Sequence, residues 1–387
     1  MYYLITLPGL KSPVKNEFTY QSSNKLNKGD LVQVPLKTKT YLGIVLDSSP
    51  KPKFNCREIT QVLYPKFLTD KHLETTQFIS QYYFASLAQC INLYIPPSIE
   101  TPKSLKMLSE NLCSEIQESE ILPLNTLTET QEETFQNILA ETNKMHMIHG
   151  VTGSGKTEIY LHLAQKYLKE GKQVLILLPE ISLTPQIQKK FTQHFGKDNV
   201  VIYNSSLNKT EKLQAFLDIR NNNKKIAIGA RSSLFLPFVN LGLIVMDEEH
   251  DHAYKQENNP KYHARSVFQY LVKQNNALGV IGSATPSLES FNASQENIIK
   301  YHRIDKKAFK QADPQISIVD MAQEIRVGNY PISYKLHQEI ENALKNKKQV
   351  IILCNKRGFA SYMQCRDCGH VEKCPHCDVS LTYHKIP

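Results

Sequence analysis

No apolar run in this 387-residue sequence is long enough to cross a bilayer. The longest, such as Gln173 to Pro179 and Leu241 to Met246, are strand-sized, whereas a spanning helix needs roughly 20 apolar residues. The first residues, Met1-Tyr2-Tyr3-Leu4-Ile5, lack both a basic start and a long apolar stretch. No secretory signal is visible, and a cytoplasmic protein without a membrane partner is expected. No internal repeat or low-complexity tract stands out. Basic residues are missing from one region: Met107 to Asn143 holds eight glutamates and no Lys or Arg. With a formal net charge of +9 overall, the rest of the chain therefore carries +17, and a basic body of that kind suits a polyanionic partner. Apolar content of 41% and charged content of 21% are ordinary for a globular protein, and the length has room for two or three domains.

Four of the eight cysteines, Cys56, Cys90, Cys113 and Cys354, are scattered. The other four, Cys365, Cys368, Cys374 and Cys377, form C-x-x-C-x5-C-P-x-C. In a cytosolic setting this spacing indicates metal binding, not disulfides. Gly369 and Pro375 suit the tight knuckles that present thiolates to Zn²⁺.

What the sequence does contain is a phosphate-binding pattern, Gly150-Val151-Thr152-Gly153-Ser154-Gly155-Lys156-Thr157, followed downstream by Asp247-Glu248-Glu249-His250. Glycines at 150, 153 and 155 let backbone N–H groups wrap a phosphate where a Cβ would clash. A helix over 156–169 would point its positive N-terminal end at the same anion. Lys156 would reach the β- and γ-phosphates of ATP, and the Thr157 hydroxyl would ligate Mg²⁺. Asp247 follows the apolar run Leu243-Ile244-Val245-Met246, which suits a buried parallel strand. From the end of that strand Asp247 would hold the metal on its other side, and Glu248 would polarise the attacking water. This pair of motifs predicts ATP hydrolysis.

Residues 1–66 are β-rich, with strands at 31–35 and 41–46 and a basic hairpin at Lys37 and Lys39, a pattern expected of a small barrel. A helical stretch at 68–95 carries Phe78, Tyr82, Tyr83, Phe84 and Tyr94, and an aromatic stripe at helical spacing is expected in the core. Residues 97–125 read as a linker. From 126 to about 305 helices and strands alternate, with strands expected at 145–149, 173–178, 199–203, 226–229, 242–246 and 278–282. A further unit over 306–387 offers a helix at 334–346, a strand at 349–353 and the cysteine pairs.

Further blocks stand at strand ends: Pro179-Glu180-Ile181-Ser182-Leu183-Thr184-Pro185-Gln186, Gly229-Ala230-Arg231-Ser232-Ser233, and Gly282-Ser283-Ala284-Thr285-Pro286. In this order they resemble the motifs of a superfamily 2 helicase lobe. Gln131, three residues after Thr128, would place an amide on the adenine edge.

The whole set resembles the primosomal protein N′ (PriA) family of replication-restart helicases. The resemblance is carried by G-V-T-G-S-G-K-T-E-I-Y at 150–160, L-P-E-I-S-L-T-P-Q at 178–186, G-A-R-S-S-L-F-L-P-F at 229–238, D-E-E-H-D at 247–251, Y-K-Q at 254–256, Y-H-A-R at 262–265 and N-K-R-G-F-A at 355–360. It implies an α/β chain: a barrel-like domain that binds DNA 3′ ends, a RecA-like P-loop lobe, and the start of a second such lobe carrying the knuckles. It implies ATP, Mg²⁺ and Zn²⁺ as cofactors, and a 3′→5′ DNA helicase that binds single-stranded and forked DNA, a monomer working with primosome proteins and single-strand-binding protein. His250 to Arg265 matches the family's aromatic-rich loop, in which Tyr254 and Tyr262 would stack bases while Lys255, Lys261 and Arg265 meet phosphates; Arg231, after the fourth strand, is a further DNA-binding candidate. Phe18 and Arg57 match the 3′-end pocket. The family's F-D-Y stands here as Phe18-Thr19-Tyr20, and a hydroxyl in place of the carboxylate weakens a contact to a 3′-hydroxyl. Two features depart from the family. An acidic stretch occupies the place of its winged-helix domain, and two of its four cysteine pairs are present. The alternative expectation is a truncated DNA- and nucleotide-binding module without competent unwinding.

Overall fold

The computed structural model describes residues 1–10, 17–97, 99–110, 122–142, 144–179, 185–307, 314–353, 370–375, 377 and 379–381, in two compact units, Met1–Gln311 and Ala312–Pro387. The first unit opens with β1 (Tyr2–Thr6), β2 (Glu17–Gln21), β3 (Leu31–Leu36), β4 (Lys39–Ser49) and β5 (Gln61–Tyr64), an antiparallel sheet in the order β2-β1-β4-β3-β5. Ile5, Leu7, Val32, Val34 and Val45 fill its interior. Lys37 takes a left-handed φ of 55° at the β3–β4 turn. The Gln21 N–H donates to the Arg57 carbonyl and the Ile59 N–H to that of Gln21, both at 2.9 Å. These bonds tie β2 to the segment leading into β5, so the sheet curls as a small barrel does.

The expected helical stretch is two helices, α1 (Asp70–Tyr82) and α2 (Leu87–Asn92), because the chain turns at Phe84 with a φ of 51°. The expected aromatic core is split accordingly. Tyr94 is 2% exposed and packs edge-on against Phe235. Tyr82 and Phe84 are 61% and 96% exposed, so the helical spacing that suggested burial runs out to the surface at the end of α1. The presumed linker contains α3 (Pro102–Ser109), started by Thr101 accepting from the Ser104 N–H.

There follow α4 (Glu129–Ala140), β6 (Met145–Gly150), α5 (Lys156–Lys169), β7 (Gln173–Leu177), α6 (Pro185–Phe195), β8 (Val200–Tyr203), α7 (Lys209–Arg220), β9 (Ile226–Gly229), β10 (Leu241–Asp247), α8 (Ala264–Asn275), β11 (Leu278–Ser283), α9 (Leu288–Gln295) and β12 (Ile299–Ile304). The seven strands form a parallel sheet in the order β12-β6-β11-β10-β7-β9-β8. The two faces of β10 follow from period-two alternation: Leu243 and Val245 join residues of α4, α5 and α6, while Ile244 and Met246 join residues of α7 and α8. This is the RecA-like lobe that the sequence predicts. Its edge strand β12 is not among the strands expected from the sequence: in I-K-Y-H-R-I the adjacent His302 and Arg303 break the alternation, and no apolar run marks it.

The N-terminal elements pack on the α7–α8 face. Phe67 stacks on Phe216 at 5.1 Å between centroids, and the Arg220 guanidinium donates to the Lys66 and Phe67 carbonyls while lying 4.7 Å from the Tyr64 ring.

In the second unit, α10 (Met321–Arg326) and α11 (Tyr334–Lys345) are capped by Asp320 and Ser333. The strand expected at 349–353 does not form, and Ile351 and Leu353 are 96% and 89% exposed. An apolar run becomes a strand only where a neighbour takes up its backbone N–H and C=O groups, and none does so here among the described residues. Cys374 and Cys377 lie in a tight turn in which the Cys377 N–H donates to the Cys374 carbonyl at 3.4 Å and the Cys374 N–H to that of Val379 at 2.9 Å. Cys365, Cys368 and the 355–360 block lie outside the described residues.

Candidate active site

The three chemical motifs sit at the C-terminal ends of three adjacent strands. β6 leads into the glycine loop, β10 ends in Asp247, and β11, lying between them, ends in Ser283. The register sets Asp247 level with Gly282, and Gly282 level with Ile148. Crevices beyond the carboxyl ends of parallel strands are where such sheets bind ligands.

The glycine loop is built for a phosphate. Gly153 and Gly155 have φ of 83° and 81°, a region closed to most side chains. A Cβ at Gly150 would stand 2.5 Å from the Ser154 Oγ. That hydroxyl is buried without a hydrogen-bond partner among the described residues, which fits a loop whose donors and hydroxyl serve a bound anion. Lys156 opens α5 and donates to the Gly150 carbonyl at 3.1 Å. Gln131 is also brought here, with its amide already bonded. Its Nε2 donates to the Ser154 carbonyl at 2.8 Å and its Oε1 accepts the Thr128 N–H at 2.9 Å. In this arrangement the side chain braces the glycine loop, and its amide retains a second N–H and a second lone pair.

Asp247 is buried, and two tyrosines hold it. The Tyr160 hydroxyl, one turn beyond Lys156 on α5, donates to the carboxylate at 2.9 Å. The Tyr254 hydroxyl donates to the Asp247 carbonyl at 2.6 Å and lies 3.1 Å from that of Leu177. Burial pushes the Asp247 carboxyl up to about 6, with the neighbouring Glu248 acting in the same direction and Lys156 and the Tyr160 bond opposing. A buried carboxylate held in this way is the donor that a divalent cation needs to offset its desolvation. The buried carboxylate of Asp247 therefore fits a divalent cation such as Mg²⁺.

Glu248, at the strand end, has a φ of 45°, a left-handed turn that lifts its side chain out of the strand direction. His250 lies 3.7 Å from the Glu248 carboxylate and 2.7 Å from the Ser283 hydroxyl, with Thr285 3.4 Å from its other ring nitrogen. Glu249 is fully buried; it accepts from the Ser287 N–H and from the Ser287 and Ser290 hydroxyls, and pairs with Arg265 at 3.5 Å. Sequence reasoning assigns no role to Tyr160, Glu249 or His250, whose place inside the matching strings is the available signal; Ser283 belongs to the segment Gly282–Pro286 that it does single out.

The 250–265 loop departs from expectation. Tyr254 and Tyr262 are 0% and 2% exposed, so neither ring offers a face to a base. Tyr254 is spent on the Asp247 and Leu177 carbonyls, and Tyr262 packs edge-on to Phe235 at 5.3 Å. Arg231 donates to the Ala253 and Lys255 carbonyls and shapes the loop from beneath. Lys255 remains exposed, donating to the Lys261 carbonyl at 2.9 Å. A cleft of about 830 Å³ brings Pro179, Asn204, Arg231 and Ser232 of the lobe against Gln33 and Tyr41 of the N-terminal sheet. Glu180 to Thr184, the rest of the motif after β7, lie outside the described residues. Phe18 is half-buried against the barrel interior, and the exposed Arg57 donates to the Lys37 carbonyl at 2.6 Å, beside the end of β2.

With this geometry in view, the likenesses to known proteins are specific. Residues 128–293 match the DEAD/DEAH box helicase family, and residues 9–96 match the 3′DNA-binding domain (3′BD). The chain is 39% identical over 373 residues to the replication restart protein PriA of Rickettsia felis, covering 95% of this chain and 56% of that protein. It belongs to the PriA family. The Helicobacter pylori strain 26695 PriA is 34% identical over 379 residues, covering 97% of this chain and 57% of that protein. The Bacillus subtilis PriA is 41% identical over 264 residues, covering 67% and 33%. This PriA-type chain thus spans about half the length of the curated relatives it matches. No helix among its described residues is long and apolar enough to cross a membrane.

Proposed function

We propose that this chain supplies the ATP-hydrolysing lobe of a 3′→5′ DNA helicase acting in replication restart. The observation that carries the reading is the placement of Lys156, Asp247 and Ser283 at the ends of neighbouring strands, with Asp247 bonded both to α5 and to the 250–265 loop. The glycine loop and Lys156 bind the triphosphate, the lysine exchanging the Gly150 carbonyl for phosphate oxygens. Thr157 and Asp247 would hold Mg²⁺, which would supply positive charge against that developing on the γ-phosphate. Glu248 orients the water and accepts its proton. Movement of the 250–265 loop reaches Asp247 through Tyr254 and reaches Glu248 through His250.

On this reading residues 1–66 hold DNA 3′ ends through Phe18 and Arg57, 67–125 connect, 126–305 form the motor lobe, and 306–387 begin a second lobe. The spacing of Cys365, Cys368, Cys374 and Cys377 supports Zn²⁺ there. Forked and single-stranded DNA, primosome proteins and single-strand-binding protein are the partners of a cytoplasmic monomer. The test is ATP hydrolysis by the purified chain with and without single-stranded DNA. Stimulation by DNA that disappears in Lys156→Ala supports a motor; binding of nucleotide and DNA without stimulated turnover reduces the chain to a binding module.

A further inference from the structure

The aromatic residues that α1 fails to bury form a continuous surface feature. Tyr270 of α8 stacks on Phe78 at 4.3 Å and 9°, Phe78 stacks on Tyr82 at 5.5 Å and 27°, and Tyr83 meets Tyr82 edge-on at 4.9 Å. Phe84 follows, 96% exposed, with the left-handed φ of 51°. Glycine or asparagine takes that conformation readily, whereas a bulky side chain there is an outlier. The turn is nevertheless fixed: the Ala85 N–H donates to the Ser80 carbonyl at 3.1 Å and the Ser80 hydroxyl to that of Ala85 at 2.7 Å. The phenyl ring is therefore held outward by a bonded turn.

The charge beside these rings is positive. The Lys255 ammonium lies 5.5 Å from the centre of the Tyr83 ring, and it comes from the same loop whose Tyr254 bonds to Asp247. With one bond to the Lys261 carbonyl, an ammonium group still has donors to offer. Flat rings at the surface, a cation at their edge and a rigid support form the combination that binds unpaired bases without regard to sequence.

We propose that Tyr82 and Phe84 form a stacking platform for unpaired DNA bases, with Lys255 meeting the adjoining phosphate. The proposal rests on the DNA-motor reading for its polymer, but on these residues alone for its place. It moves base stacking from the buried Tyr254 and Tyr262 to α1. It also gives the 250–265 loop a direct contact with the strand, through Lys255, the residue next to the Tyr254 that bonds to Asp247.

The test uses the full chain and a fluorescein-labelled oligothymidylate. Tyr82→Ala and Phe84→Ala each alter an exposed side chain and should weaken binding about fivefold or more. The slope of log affinity against log salt should stay unchanged, since stacking releases no counterions. Lys255→Ala should instead lower that slope by about 0.7. The chain has no tryptophan, so Tyr82→Trp introduces a single indole, whose fluorescence should be quenched when the oligonucleotide binds. If the chain binds the oligonucleotide but the alanine variants match it and the indole is unquenched, the platform is wrong and the DNA reading survives. If the chain binds no oligonucleotide, both fall. If Phe84→Ala abolishes self-association in sedimentation while affinity for the oligonucleotide holds, the patch is an interface between copies and the proposal is overturned.

Discussion

The Tyr160 hydroxyl reaches the Asp247 carboxylate across the backbone of Gly282. The bond is 2.9 Å long, and a Cβ on Gly282 would stand 1.7 Å from that hydroxyl and 2.9 Å from the carboxylate oxygen. The glycine of the G-S-A-T-P segment is thus the gap through which α5 steadies the Asp247 carboxylate. The helix after the glycine loop, the strand that ends in Asp247 and the strand that carries Gly282 meet at one hydrogen bond.

Tyr160→Phe keeps the buried ring and removes only the hydroxyl. A hydrogen bond to a charged group contributes about 1.5–3 kcal/mol, so affinity for Mg²⁺-nucleotide should fall about tenfold or more. Thermal stability should change little by comparison. Titrating Mg²⁺ at fixed nucleotide checks this, and an unchanged Mg²⁺ dependence would remove the role assigned to Tyr160.

Gly282→Ala should cost both stability and nucleotide affinity, because the methyl group displaces the Tyr160 hydroxyl and crowds Asp247. In a double-mutant cycle with Tyr160→Phe the two losses should be clearly less than additive, since the phenylalanine lacks the atom in closest conflict. Additive losses in urea-melt free energies and nucleotide Kd would mean that the two positions act independently.

Asp247 makes nucleotide binding depend on pH. Its carboxyl ordinarily titrates near 3.8 and is pushed up to about 6, chiefly by burial. Its protonated form therefore stabilises the nucleotide-free fold fully below 3.8, and this contribution, about 3 kcal/mol, is lost as pH rises through about 6. Mg²⁺-nucleotide binding should release a proton near that pH and weaken below it. Calorimetry in two buffers of different ionisation enthalpy measures the proton. Asp247→Asn should abolish the release and flatten this part of the stability profile; His72, which burial and the Arg220 charge push down to about 4, acts in the opposite sense and cancels in the comparison.

Glu249→Ala should destabilise the lobe by about 3 kcal/mol, since it leaves Arg265 without its buried carboxylate partner and strips acceptors from Ser287 and Ser290. Chemical denaturation checks the loss. Glu249→Gln, which keeps acceptors for the serines but not the charge, should lose less.

His250→Ala tests coupling apart from binding. The imidazole joins the Ser283 hydroxyl to the turn that carries Glu248, and it touches neither the glycine loop nor Lys156. Nucleotide affinity should hold while the DNA-stimulated rate drops about tenfold, the usual share of one positioned hydrogen bond. Equal loss in the presence and absence of DNA would assign His250 to chemistry alone.

Much of this site is written locally. The glycine loop needs particular backbone angles over a few consecutive residues, and the strand that carries Asp247 needs a continuous apolar run, so both are visible as strings. Helix 156–169 matched residue for residue for the same reason. Burial of a single ring is different, because it depends on which elements come together. Tyr254 and Tyr82 belong to equally aromatic segments, yet one is buried beneath β7 and β10 and the other stands exposed at the end of α1. Gly282 shows the same limit, since nothing within G-S-A-T-P indicates that a tyrosine 122 positions upstream passes over it.

By itself the sequence determined the phosphate cradle, the strand-end carboxylates, the alternation of helices and strands, and the family resemblance, because each is a property of neighbouring residues or of their order. Only the tertiary structure decided which tyrosines steady Asp247, that Gln131 braces the glycine loop, and that the aromatic surface lies on α1. Those outcomes turn on close packing between segments far apart in the chain, where a shift of an ångström separates a hydrogen bond from a clash.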